Sequence, residues 1–331
     1  MKRTIVSLVL LSLISVLFLR ILWEEQPTHK LYARELLQRL SPTKHKFLTG
    51  LCKELLYTST FGYTLFGNKP LSLIVDEAWS PSDKGCIFLK FAIPLLRKNE
   101  KNLRSKNFMV LLEDNEEMPS VFLVNKSAFL KAVRENITIF QHVLGSDITP
   151  EGLLRDIEEK KCELGTAIKK NHALFGILFG FGTRNALAFD RRCQIENFIN
   201  NQGFAPWKDP CQNNLLGINE IYILNDTRKG RGLRTKTESP KGRASSAEIR
   251  TYEQELAELE MKLCGVGGVR PYCRLASSIM APCFAGDPES EETVHLVNEY
   301  RAVQLQLTEL LNDDRLLEKV LEKFFDPEEA A

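Results

Sequence analysis

The chain has 331 residues, a length that suits about two domains. Hydrophobic residues make up 44% and charged residues 26%, which excludes a wholly disordered, collagen-like or polar-repeat chain. Lys and Arg number 44 against 43 Asp and Glu, so net charge makes no case for a nucleic-acid partner, and eight Cys are too few for a disulfide scaffold.

The first element is an apolar run. Met1-Lys2-Arg3 precedes Thr4 to Trp23, 20 residues interrupted by a charge only at Arg20. As a helix this run is roughly 30 Å long, the thickness of a hydrocarbon core. Arg20 is close enough to one end to snorkel to the interface, and Trp23 sits where an aromatic anchor belongs. A cleaved signal peptide needs small residues before the cut, and from Val16 to Gln26 no residue is smaller than Val. The expectation is an uncleaved anchor contacting the membrane through residues 4–23. Lys30, Arg34 and Arg39 beyond the run argue for one orientation, the short Lys2-Arg3 head for the other. Following the head places the bulk of the chain outside the cytoplasm.

Helical signals dominate the rest of the chain. Thr28 to Leu40 carries Leu31, Leu36, Leu37 and Leu40, and Ser41-Pro42 stops it. Phe47 to Tyr57 continues amphipathically. Ser127 to Leu144 reads as one helix with Gly145 at its C-terminal cap. Thr149 before Pro150 opens a helix to about Lys161, and Thr183 caps another through Phe198. Ser245 to Leu263 and Glu292 to Phe325 complete the set, the latter as one long helix or two divided near Asn312-Asp313-Asp314. Short strands are expected at Leu71–Val75, Phe108–Leu112, Ser120–Val124 and Glu220–Leu224. Residues 108–112 and 120–124 flank a polar loop and fit a hairpin. The class is therefore α+β, helix-dominated with a small antiparallel sheet, plus one N-terminal transmembrane helix. We divide it into the anchor (1–25), a main α+β domain (28–225), a basic flexible loop or linker (226–250) and a helical C-terminal part packing on the main domain (251–331).

Chemistry-bearing patterns are sparse. The basic stretch Arg228 to Arg243 has no interleaved aromatics to stack on bases, so it reads as a solvated loop and no nucleic acid is expected. Cys52, Cys86, Cys162, Cys193, Cys211, Cys264, Cys273 and Cys283 form no CxxC pair. Cys264, Cys273 and Cys283 cluster in a Gly/Pro-rich segment, where bridges and free thiols remain equal alternatives. His29, His45, His142, His172 and His295 include no metal motif, and a hydrolase site combining Cys86 or Cys193 with His142 or His172 has no local signature. Gly265-Val266-Gly267-Gly268 is not a nucleotide-binding loop. No cofactor or metal site is expected, and no catalytic residue is named. Sequons begin at Asn125, Asn136 and Asn225, with meaning only in a eukaryotic secretory pathway. Gly176 and Gly180 show GxxxG spacing in Ala173 to Gly182, a ten-residue run of core-helix length.

Two stretches remain, FGYTLFGNKPLS (61–72) and NHALFGILFGFGTRNALAF (171–189). Gly62, Gly67 and Pro70 allow a tight turn into the strand at 71, with Tyr63 and Phe66 packed at the corner. Asn171 can cap the apolar helix, and Gly182-Thr183 can reverse the chain so that Arg184 and Asn185 stand at an exposed helix start. The stretches form either a shared pocket edge or, as we favour, a packing node. Together they resemble segments of uncharacterised, often N-terminally anchored proteins of chlamydia-like intracellular bacteria. The resemblance covers about 30 residues, implies no reaction, and fits a single-pass protein of the bacterial inner membrane. The expected role is structural or interactive at the bacterial envelope. The alternative is a membrane-tethered hydrolase with a site assembled from distant residues, and the sequence does not decide whether the chain is an enzyme.

Overall fold

The computed structural model describes residues 37, 38, 40–75, 104–113, 120–201, 246–264, 279, 282, 284, 286, 287 and 289–325. In chain order these form α1 (Pro42–Thr58), α2 (Phe61–Phe66), β1 (Leu71–Val75), β2 (Phe108–Glu113), β3 (Ser120–Asn125), α3 (Lys126–Glu135) and α4 (Ile137–Leu144). Next come α5 (Pro150–Glu158), α6 (Leu164–Ala167), α7 (His172–Leu178), α8 (Thr183–Asn201), α9 (Ser246–Cys264), α10 (Glu291–Leu311) and α11 (Leu316–Phe325). The helix-rich α+β class is thus observed.

The sheet has the order β1-β3-β2, both pairs antiparallel. Val110 lies opposite Leu123 and Leu111 opposite Phe122, which makes β2 and β3 the expected pair. Both strands are near-continuous apolar runs because helices cover both faces of the sheet. Phe108, Val110, Leu112, Val121 and Leu123 point into a core filled by α1, α2, α10 and α11. Leu71, Leu73, Met109, Leu111, Phe122 and Val124 point into the opposite core, filled by helices of the segment 126–186. Alternation along each strand thus feeds two cores rather than a core and solvent.

Caps set the helix boundaries. Asn125 accepts from Ala128 N at 3.1 Å, Thr149 from Gly152 N at 3.1 Å, Asn171 from Leu174 N at 3.0 Å and Ser290 from Thr293 N at 3.1 Å. Three expectations need correction. The helix over 127–144 is two helices, broken at Asn136. The Asn136 amide bonds back to the Ala132 carbonyl at 2.9 Å and its oxygen accepts from the Thr183 hydroxyl at 2.6 Å, which holds the residue off helical geometry. The corner at 61–70 contains a helical turn, α2, before Gly67. Pro42 opens α1 rather than only ending a preceding helix, as suits a residue whose missing N–H has no helical partner at that position. The division near Asn312–Asp314 is observed, with Asp313 accepting from Arg315 N at 2.7 Å.

The expected elements at 4–23 and 220–224, residues 226–245 of the expected loop, Arg228–Arg243, Cys86, Cys211, Cys273, Cys283, Asn225 and the glycines at 265–268 lie outside the described residues, while 246–250, expected as the end of that loop, are the first residues of α9. Among the described residues no helix is long and apolar enough to cross a membrane.

Candidate functional site

The stretches 61–72 and 171–189 meet, and they do so around a lysine. Lys69 is 1% exposed. Its ammonium donates to the Phe179 carbonyl at the C-terminal cap of α7 and lies 5.2 and 5.3 Å from the ring centroids of Phe179 and Phe181. A cation there faces the negative end of the helix and two aromatic faces, which together replace part of its hydration.

Why the chain turns at this point is visible in the backbone. Gly180 has φ +73°, Gly180 N donates to the Ile177 carbonyl at 3.0 Å and Phe181 N to the Gly176 carbonyl at 3.0 Å. These are the two bonds of a Schellman termination, which calls for Gly at the left-handed position. A Cβ on Gly180 would stand 2.6 Å from the Tyr300 hydroxyl. Three successive carbonyls are then each taken by a side chain from elsewhere. Lys69 donates to Phe179, Tyr300 Oη to Gly180 at 2.5 Å and Asn185 Nδ2 to Phe181 at 2.9 Å. Gly176 lets α8 approach, since a Cβ there would stand 2.7 Å from Ala186 Cβ. The GxxxG spacing therefore serves packing within the chain.

On the other side of Lys69, α2 rests on β1 through a buried hydroxyl cluster. Ser72 Oγ donates to the Thr60 carbonyl at 2.8 Å, accepts from Thr60 Oγ1 at 2.9 Å and lies 2.5 Å from Thr64 Oγ1. Tyr63 meets Tyr300 edge-on, with centroids 5.7 Å apart. The corner assigned to Tyr63 and Phe66 is observed at Tyr63, which is buried, while Phe66 packs at the edge of the same core.

The start of α8 is closed by α10. Glu292 accepts from Thr183 N at 2.7 Å and Arg184 N at 2.9 Å, placing a carboxylate on the positive end of the helix. Asn185, expected at an exposed helix start, is 2% exposed. It donates to Thr293 Oγ1 at 3.0 Å and accepts from Asp287 N at 3.2 Å, so its polar groups are turned inward.

The titratable residues are dispersed. Burial pushes the Glu113 carboxyl up to about 7, although it accepts the Leu164 and Gly165 N–H groups; Glu163 adds to the rise and Lys170 opposes it. Burial also raises Asp190, opposed by His172 with Nδ1 4.0 Å away and by bonds from Gln194 and Ala173 N. His172 is the first residue of α7, its ring edge against Phe189. His142 is exposed on α4 and Cys193 is buried on α8. Burial raises Cys52 to about 12. Cys52, Cys162 and Cys193 form no disulfide. Among the described residues no group of three or more His, Cys, Asp or Glu side chains is placed to hold a metal ion. Two sequon asparagines serve the fold. Asn125 caps α3 and donates to the Thr64 and Gly67 carbonyls, and Asn136 separates α3 from α4.

At Lys69 the two stretches pack together, with Lys69, Tyr300 and Asn185 each donating to a carbonyl of the 179–181 turn. Sequence reasoning joined the two stretches but did not single out Lys69, Glu292 or Glu113, since no local pattern marks a charge that a distant segment will cover. No protein-family model matches the chain, and neither curated proteins nor solved structures give a match.

Proposed function

We propose that the chain is a single-pass membrane protein of the bacterial envelope, tethered by residues 4–23, with its α+β body outside the cytoplasm in a structural or interaction role. One observation carries this reading: the 20-residue run Thr4 to Trp23 has membrane-spanning length and a lone charge near its end. The donation of Lys69, Tyr300 and Asn185 to backbone carbonyls supports a structural role for the place where 61–72 and 171–189 meet. The resemblance of 61–72 and 171–189 to N-terminally anchored bacterial proteins supports the location. Reporter fusions after Ala331 test it. A reporter active only outside the cytoplasm gives signal, and one active only inside gives none. A full-length product recovered in the soluble fraction overturns the tether, and the reverse reporter pattern overturns the orientation.

A further inference from the structure

The outward face of α1 has a composition its packing does not require. Leu48, Cys52 and Leu56 turn into the core. Opposite them, Lys46, Gly50, Lys53 and Tyr57 recur at helical spacing along one exposed stripe. A Cβ at Gly50 would meet nothing within 4 Å, and Tyr57 is 40% exposed, one of four large exposed hydrophobics among the described residues. Neither Lys46 nor Lys53 forms an ion pair with a described residue. The stripe is thus cationic, flat at its middle and aromatic at one end.

Its position in the chain supplies the partner. From Pro27 to Glu54 there are six Lys or Arg (Lys30, Arg34, Arg39, Lys44, Lys46, Lys53) against two Glu. Only the 18 residues from Glu24 to Ser41 separate the apolar run from α1. That is at most about 60 Å when fully extended, so with the run at 4–23 inserted in a bilayer α1 stays within that reach of its surface. A basic segment next to a membrane span is drawn to anionic headgroups by about 1 kcal/mol per Lys, or about fivefold in the docking equilibrium. Tyr suits the interface, with an apolar ring and a wet hydroxyl.

We propose that the Lys46–Gly50–Lys53–Tyr57 face of α1 docks on the anionic phospholipid surface beside the anchor, holding the body against the bilayer. This rests on the proposed tether at residues 4–23. The docking is electrostatic, so it requires anionic lipid and weakens as salt rises.

The test uses the full chain in nanodiscs of phosphatidylcholine alone or mixed with phosphatidylglycerol, with an amine-reactive label read residue by residue by mass spectrometry. Lys46 and Lys53 label more slowly in the anionic discs, salt restores their rate, and Lys131, 69% exposed on α3, labels alike in both. Lys46→Gln with Lys53→Gln lowers docking roughly twenty-five-fold, at about fivefold per lysine. It leaves the melting temperature unchanged, and with Lys46→Gln alone Lys53 labels in the anionic discs at a rate closer to that in the neutral discs. Equal labelling of Lys46 and Lys53 in both discs, with the chain still disc-bound, overturns the docking face alone. A chain that associates with neither disc overturns the tether and the docking face together.

Discussion

Lys69 brings an ammonium into the protein interior, where losing water is costly unless carbonyls and ring faces replace it. Replacing it by Met keeps the stem and removes the donor, so the Phe179 carbonyl loses that bond. Lys69→Met should lower unfolding stability by about 1–3 kcal/mol, read from urea midpoints at unchanged m. Glu113 gives a different signature. Burial raises its folded-state value from 4.5 to about 7, so the native state holds the proton more tightly than the unfolded chain. The stabilisation is full below about pH 4.5 and is lost as pH rises through 7, at most roughly 3 kcal/mol across that window. Glu113→Gln should flatten the fall, and urea titrations at pH 4.5, 6 and 8 on both proteins check it. Neither residue is legible in the sequence alone. Lys69 stands in NKP, which reads as an exposed turn, whereas the fold sets the distant Phe179–Phe181 segment over it.

At the level of elements, the sequence is most readable where local chemistry decides the outcome. Thr149-Pro150 opens α5 and Asn171 opens α7 because each cap bonds within its own first turn. The strands β1, β2 and β3 lie at nearly their expected bounds, since a short β-rich apolar run bounded by polar residues has few other uses. Periodicity fails at Asn136. The apolar spacing runs on through 127–144, and the break depends on Thr183, which is 47 residues away. Asn125 shows how one cap also joins elements. Asn125→Ala should destabilise by about 1–2 kcal/mol through loss of the α3 cap. Asn125→Asp keeps that acceptor but not the donation to the Thr64 and Gly67 carbonyls, so it should recover part of the loss. Thermal melts of the two variants separate the contributions.

For the molecule as a whole, the sequence does not reveal which helices share a core. The class and the hairpin are readable, but the sandwiching of one sheet between two helical layers comes from long-range partners. One core joins Leu48, Cys52 and Leu56 to Val303, Leu307, Leu317 and Phe324. Removing everything after residue 290 should therefore uncover the α1–α2 side of the sheet and abolish cooperative unfolding, as followed by far-UV circular dichroism and dye binding to exposed apolar surface.

That union of the earliest and latest helices also governs how the chain comes into being. Synthesis proceeds from the amino end, so α1 and α2 emerge long before α10 and α11 exist to receive them. During that interval one side of the sheet has no lid, and its leucines and phenylalanines stand bare to whatever passes. A nascent molecule of this design needs a holding partner, or very rapid completion, until its closing pair of helices arrives.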